Sequence, residues 1–297
     1  MKMKIGIIGL GLIGGSLGRA LVKNTKHRIY AYDADRETMA QGISLNAYHE
    51  QLDVTNVAKL DLLIIALYPK LTIDCLSQYV PLMKAGSTVI DCAGIKKEIV
   101  EKMHELKVAH PEINFIGCHP MAGREFSGIK HSTAGLFENA SILFVLVNTP
   151  DKVFASVKEL FLQAGAERVV VTTAEEHDKR IAYTSQLAHV VSSAYVNNEN
   201  ATKHYGFTAG SFRDMTRVAK LNPDMWSELM IENSDYLTVE LDTLIENLKD
   251  FQKVISTKDK VGLHSLLDKG NRIKVEIESN KGKKLEALED VEVIKPT

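Results

Sequence analysis

The feature that most constrains this chain is Gly9-Leu-Gly11-Leu-Ile-Gly14, set between a short apolar run, Lys4 to Ile8, and a helix-period stretch, Gly15 to Lys23. On a strand-to-helix turn the three glycines have separate uses. Gly9 permits the tight turn, Gly11 lets a pyrophosphate approach the backbone, and Gly14 lets the helix pack close to the strand. The helix start then offers unpaired N–H groups and the positive end of its dipole to phosphates. Asp33 follows 19 residues after Gly14, at the end of the second apolar run. There an acid accepts hydrogen bonds from the adenosine ribose hydroxyls. Its charge repels a 2′-phosphate, so the expected cofactor is NAD rather than NADP, although Arg36 is close enough to soften that preference. The alternative is a core strand–turn–helix unit that binds no nucleotide.

The next 150 residues repeat the alternation. Apolar runs at Arg28 to Asp33, Leu62 to Leu67, Thr88 to Asp91, Phe115 to Cys118, Ile142 to Val147 and Arg168 to Thr172 read as strands buried on both faces. Helical patterns such as Asp151 to Ala164 lie between them. The strand signal stops after Thr172. Thr173-Ala-Glu-Glu176 then fits a reciprocal capping box, followed by a stripe of Ile181, Thr184, Ala188, Val191 and Tyr195. Asn222-Pro223-Asp224 starts another helix. Its apolar stripe is Trp226, Leu229, Met230, Leu237, Leu241, Leu244, Ile245 and Leu248. The expected fold class is an α/β Rossmann-type dinucleotide-binding domain, residues 1–172, followed by an all-helical C-terminal domain, 173–280. A charged, pattern-poor tail, 281–297, is expected to be partly disordered. The long apolar stripes predict a homodimer through the helical domain.

Composition narrows the class. The 297 residues suit two domains, and 36 Lys+Arg against 38 Asp+Glu give a net charge of −2. That balance carries no basic excess for nucleic acid or anionic lipid. The longest strongly apolar run, Leu62 to Tyr68, is far short of the ~20 residues of a membrane span. Lys2 and Lys4 before an uncharged stretch imitate a signal peptide, but five glycines interrupt it and no cleavage site follows. Cys75, Cys92 and Cys118 match no zinc spacing, and their odd number suits reduced thiols in a cytoplasmic protein. No metal site is expected.

Two further constellations carry chemistry. His119 follows the Phe115 to Cys118 run and so belongs at the C-terminal edge of a strand, where open α/β sheets bind ligands. A neutral imidazole there can accept a proton; the alternative is a structural histidine in a turn. In the helical part, Gln186, His189 and Ser193 share one helix face. Arg213 and Arg217, four apart, can form a fork for a carboxylate, or a solvated basic face.

These residues together resemble the prephenate/arogenate dehydrogenase family. The resemblance rests on Gly9-x-Gly11-x-x-Gly14, Asp91-Cys-Ala-Gly-Ile-Lys96, His119-Pro-Met-Ala-Gly123 with Ser127-Gly128, Ser185-Gln-Leu-Ala-His189, and Phe212-Arg-Asp-Met-Thr-Arg217 with Trp226. It spans roughly residues 5 to 250, and the histidine-proline motif at His119 and the Arg-Asp-x-Thr-Arg motif at Arg213 to Arg217 are the more specific. It implies NAD-dependent oxidative decarboxylation of prephenate to 4-hydroxyphenylpyruvate, with His119 as the base. It also implies that Arg217 holds the ring carboxylate and His189 the side-chain carboxylate. Gln186, Arg213 and Ser127 are expected nearby, and Trp226 is expected to close the pocket. Leu12, Ile13, Leu67 and Gly94 are expected to line the cofactor with Gly9, Gly11, Gly14 and Asp33.

The chain departs from the family pattern twice. Gly94 stands where the family often has a serine that supports the histidine, and Gln186 replaces a histidine. Arogenate is the alternative substrate. A β-hydroxyacid dehydrogenase, with a lysine base, and an NAD-binding protein without turnover are the further readings.

Overall fold

The apolar runs become one sheet of nine strands in the order β3-β2-β1-β4-β5-β6-β7-β8-β9. The computed structural model describes residues 2–124, 126–287 and 292–293. Its strands are β1 (Lys4–Ile8), β2 (Arg28–Tyr32), β3 (Glu50–Gln51), β4 (Leu62–Ile65), β5 (Thr88–Asp91), β6 (Asn114–Pro120), β7 (Ser141–Val147), β8 (Arg168–Val171) and β9 (Glu292–Val293). Every neighbouring pair is parallel except β6 and β7. The order 3-2-1-4-5-6 reverses its winding between β1 and β4, which opens a crevice beyond their carboxyl ends.

The connecting helices are α1 (Leu12–Asn24), α2 (Arg36–Ser44), α3 (Val54–Val57), α4 (Pro69–Tyr79), α5 (Lys97–Ala109) and α6 (Asp151–Gln163). Alternate strand residues point to opposite faces, and both faces are covered. Ile5, Ile7, Ile64 and Ile116 pack with Leu17 and Leu21 of α1 and Phe161 of α6. Ile8, Leu63, Ile65 and Phe115 pack with Leu76 of α4 and Met103 of α5. Each such side chain contributes roughly 1.5–3 kcal/mol relative to exposure. Two-sided burial is why the runs read as continuously apolar rather than alternating.

The helical part contains α7 (Ala174–Ile181), α8 (Leu187–Val196), α9 (Gly210–Thr216), α10 (Pro223–Glu232), α11 (Ser234–Ser256) and α12 (Lys260–Ala287). It departs from expectation in four places. Thr173 caps α7 by accepting from the Glu176 N–H at 3.1 Å. The Glu176 carboxylate does not reach back, because it accepts from Arg180 Nε at 2.5 Å. A π turn, Ala182–Gln186, joins α7 to α8. Its extra residue rotates the following helix, so Ala182, Gln186 and Leu187 are buried while Thr184, Ala188 and Tyr195 of the expected stripe are exposed. Asn233 breaks the second stripe into α10 and α11. Leu229 and Leu237 are buried, whereas Ile245 and Leu248 face outward. Finally, α12 runs on through Ala287, and Glu292–Val293 pair with β8, where a pattern-poor tail was expected. Residues 288–291 and 294–297 lie outside the described residues.

Candidate active site

The glycine turn opens a cleft of about 1000 Å³. Gly9 has φ +89°, and a Cβ there would lie 2.5 Å from the Ala66 carbonyl oxygen. A Cβ on Gly14 would lie 1.9 Å from the Gly9 carbonyl oxygen, so strand and helix can approach only without side chains. Gly11 differs: nothing lies within 4 Å of a Cβ built on it. That open space is at the N-cap of α1, which no side chain caps. Asp33 accepts from Leu10 N at 2.8 Å and Asp35 N at 3.0 Å, which pins its carboxylate beside the turn. Leu12, Ile13, Leu67 and Gly94 line the same cleft. An open backbone N-terminus, an acid beside it and an apolar wall fit a dinucleotide whose pyrophosphate meets Gly11.

His119 lies near the end of β6 and lines the cleft. Its Nδ1 is 2.9 Å from His177 Nε2, and His177 Nδ1 is 2.6 Å from Asp178 Oδ1. Asp178 also accepts from Lys96 N and Lys97 N, each at 2.8 Å, at the start of α5. Beneath them, buried Lys96 donates its ammonium to buried Asp91. Asp91 also accepts from Ala93 N at 2.9 Å and Cys118 N at 3.0 Å, joining the ends of β5 and β6. Burial holds the His119 pKa well below the usual histidine value, reinforced by His177 and the Lys96 charge. Burial likewise lowers that of His177, against the opposing effect of Asp178. The sequence assigns no role to His177 or Asp178, and Asp91 and Lys96 stand in it only as the ends of a family motif, without their ion pair. The available signal was a histidine four residues before Ile181 on the buried face of α7.

The second wall comes from the helical part. His189 packs on Trp226 with ring centroids 3.7 Å apart, and its Nδ1 is 3.0 Å from the Val218 carbonyl. Burial lowers its pKa, with a further lowering from Arg217. Arg217, Trp226, Ser127 and Ser185 line the cleft. Among its described lining residues, Arg124, Lys130, Arg217 and Lys220 are cationic and Asp224 is the one acid. Lys220 also sits 5.0 Å over the Phe126 ring, joining the two walls.

Two expected substrate residues are placed otherwise. Arg213 is exposed on α9 and outside the cleft lining, because α9 ends at Thr216 and Arg217 opens a 3-10 turn, so the two do not share one helix face. Gln186 borders the cleft but is 1% exposed. Its amide donates to the Leu229 carbonyl at 2.8 Å and accepts from Asn233 at 2.7 Å. It therefore holds the α10–α11 junction rather than presenting a free amide. Leu229 in turn packs on Gly94, where a Cβ would stand 3.3 Å from Leu Cδ2. The two departures from the family pattern are thus physically linked: Gln186 positions the leucine that fills the space beside Gly94. The buried Lys96 ammonium, engaged by Asp91, is not available as the base that a β-hydroxyacid dehydrogenase needs.

No group of three His, Cys, Asp or Glu side chains that could hold a metal occurs among the described residues. Among those residues, no helix is long and apolar enough to cross a membrane.

Comparison with known proteins places this geometry. The chain is 29% identical to a prephenate dehydrogenase of Lactococcus lactis subsp. cremoris over 289 residues, covering 94% of this chain and 78% of the relative. It is 28% identical to a cyclohexadienyl dehydrogenase of Zymomonas mobilis subsp. mobilis, covering 86% of this chain and 89% of the relative. Its fold matches the crystal structure of prephenate dehydrogenase from A. aeolicus in complex with hydroxyphenyl propionate and NAD+, with a TM-score of 0.82 at 23% identity, over 93% of this chain and 99% of that one. Residues 17–171 match the sequence model of the prephenate dehydrogenase nucleotide-binding domain, and residues 173–269 that of the dimerization domain. The chain belongs to the prephenate dehydrogenase family.

Proposed function

We propose that this protein catalyses the NAD-dependent oxidative decarboxylation of prephenate to 4-hydroxyphenylpyruvate, a step of tyrosine biosynthesis. The observation that carries the proposal is one cleft holding an open glycine turn, a part-buried histidine whose pKa is held low, and a cationic wall. Gly9, Gly11, Gly14 and Asp33 hold the dinucleotide, with Leu12, Ile13, Leu67 and Gly94 along it. Bound NAD supplies the hydride acceptor. His119 Nε2 takes the proton of the ring hydroxyl as hydride leaves that carbon. The C–C bond to the ring carboxylate then breaks, CO2 departs, and its electron pair completes the aromatic ring, whose phenolate oxygen takes the proton back from His119.

Prephenate is a dianion, and the cationic side chains lining the cleft suit it despite the chain's net charge of −2. Arg217 holds the ring carboxylate, a planar fork on a planar anion. His189 meets the side-chain carboxylate, with its ring held by Trp226. Ser127 lies at the cleft rim. Depressed basicity keeps His119 unprotonated at neutral pH, the form a general base needs.

Absorbance of the reduced cofactor, followed with prephenate or arogenate and with NAD or NADP, tests the reading. Turnover is expected with prephenate and NAD. Absence of turnover with every pair removes the enzyme reading, and faster turnover of arogenate replaces the substrate.

The protein acts as a cytoplasmic homodimer joined through its helical part. Outward-facing Ile245, Leu248 and Ile255 of α11 and Leu267, Ile273 and Ile277 of α12 are 44–58% exposed in the single chain. Apolar area of this extent is what subunit interfaces cover. Light scattering should give about twice the 32.9 kDa chain mass, and a single-chain mass at micromolar concentration removes the dimer.

A further inference from the structure

A histidine base works only if the nitrogen facing the substrate carries no proton. We propose that His177, held by Asp178, is a positioning residue that fixes the tautomer of His119 and shares the positive charge His119 acquires. The inference rests on the reading of His119 as the base.

Proton positions along the chain follow from what each group can do. A carboxylate only accepts hydrogen bonds. Asp178 Oδ1 lies 2.6 Å from His177 Nδ1, so that nitrogen carries the hydrogen. A neutral imidazole has one N–H, which leaves His177 Nε2 as a bare acceptor. His119 Nδ1, 2.9 Å away, must then be the donor. Its own single hydrogen is thereby placed on Nδ1, and Nε2 is left with a lone pair. Reversing any one of these assignments sets two hydrogens or two lone pairs against each other.

The surroundings hold this polarity. His177 is 2% exposed, so no bulk water replaces either partner. The Asp178 carboxylate is aimed by the N–H groups of Lys96 and Lys97, and its backbone carbonyl accepts from Asn233 at 2.9 Å. The other charged groups acting on the pair are Lys96 and Asp91, and the Cys92 and Cys118 thiols lie near that ion pair. Gly94, which lines the same cleft as His119, carries no side chain, and Leu229 fills the space beside it.

In the reaction the substrate hydroxyl proton goes to His119 Nε2. The Nδ1 proton can then move across 2.9 Å to His177 Nε2. His119 is neutral again, now with Nε2–H, and the positive charge rests on His177 against the Asp178 carboxylate. Once CO2 has left, the phenolate oxygen takes the Nε2 proton, and the Nδ1 proton returns to His119. No atom is gained or lost, and the charge ends beside a fixed counter-charge.

The test combines 15N NMR of imidazole-labelled whole protein with kinetics of His177→Phe and His177→Gln. In the parent, His119 should show a bare Nε2 and a protonated Nδ1. His177→Phe should lower kcat by ~10²-fold, a part of the usual contribution of a general base and its orienting partner. KM should stay within about threefold, and the 15N shifts of His119 should report a mixture of tautomers, because its Nδ1–H has lost the acceptor that fixed it. His177→Gln, which keeps a polar partner but not the link to Asp178, should show a smaller fall in the same direction. A proton on His119 Nε2 in the parent overturns the proposal. So does a His177→Phe variant whose kcat and His119 tautomer are unchanged, or one that loses only thermal stability. Should the parent turn over no substrate, the proposed function fails while the NMR still decides the proton positions.

Discussion

Lys96→Met is the perturbation whose cost the structure defines most closely. Both side chains of the Lys96–Asp91 pair are fully buried. Removing one partner of such a pair leaves an uncompensated charge and costs about 3–5 kcal/mol. Asp91 keeps two backbone donors, Ala93 N and Cys118 N, so the lower end, about 3 kcal/mol, is expected. At roughly 2–4 °C per kcal/mol for domains of 150–250 residues, the unfolding midpoint should fall by about 6–12 °C. Calorimetry of parent and variant at neutral pH measures this. The double variant Asp91→Asn/Lys96→Met, which buries no charge, should be more stable than Lys96→Met alone, and the cycle isolates the coupling. A second consequence follows because the Lys96 charge helps to depress the His119 pKa. The acid limb of kcat/KM in Lys96→Met should move to higher pH. A midpoint within about 2 °C of the parent, with an unmoved limb, would refute the account of this pair.

Four other outcomes are expected. His119→Asn should lower kcat by ~10²–10⁴-fold with NAD affinity unchanged; in the parent the acid limb should lie below pH 6.5, since the depressed pKa keeps the ring neutral to lower pH. Because His189 donates Nδ1–H to Val218, its other nitrogen can donate to a carboxylate only when protonated, and its pKa is lowered in the free protein. Prephenate binding should therefore take up a proton at neutral pH, read by calorimetry in buffers of different ionisation enthalpy, and no buffer dependence would exclude the contact. Gly11→Ala should leave the unfolding midpoint unchanged while weakening NAD binding at least tenfold, whereas Gly14→Ala should lower the midpoint, because only the second Cβ meets backbone. Glu232, with both carboxylate oxygens buried and unpartnered and its pKa raised to about 7 by burial and then by Glu228 and Glu98, binds its proton more tightly folded than unfolded. Stability should fall as pH rises from about 4.5 to about 7, and Glu232→Gln should gain about 1 kcal/mol above pH 7 after allowance for the solvent reaching this part-exposed residue; equal stabilities at pH 8 would contradict it.

The parts legible in the sequence share one property: each depends on neighbours in the chain. All seven expected strands form, with ends shifted by a few residues, because continuous β-branched and aliphatic runs bury both faces of a sheet. Strands β3 and β9 escaped because two residues have no periodicity. The π turn at Ala182–Gln186 and the break at Asn233 escaped for a different reason. Both are held by side chains distant in sequence: Asn233 donates to Asp178 and Gln186, 55 and 47 residues away.

The same division runs through the site. Gly9, Gly11, Gly14 and Asp33 were readable because a turn, a phosphate-sized gap and a strand end are local geometry. His119 was readable as a residue at a strand's C-terminal edge. What makes it a base was not, since His177 and Asp178 lie 58 and 59 positions on, and charged residues at a helix start look the same whether buried or solvated. Arg213 and Arg217 were equivalent by spacing, yet only Arg217 lines the cleft. Gln186 has the spacing of a substrate contact, but its amide is engaged by Leu229 and Asn233. The sequence by itself determined the layered sheet, the dinucleotide turn and the residue types of the reaction, because these follow from local periodicity and glycine conformations. Only the tertiary structure decided which polar groups are partnered and which are open to a ligand, because hydrogen bonds across 40 to 80 residues leave no pattern along the chain.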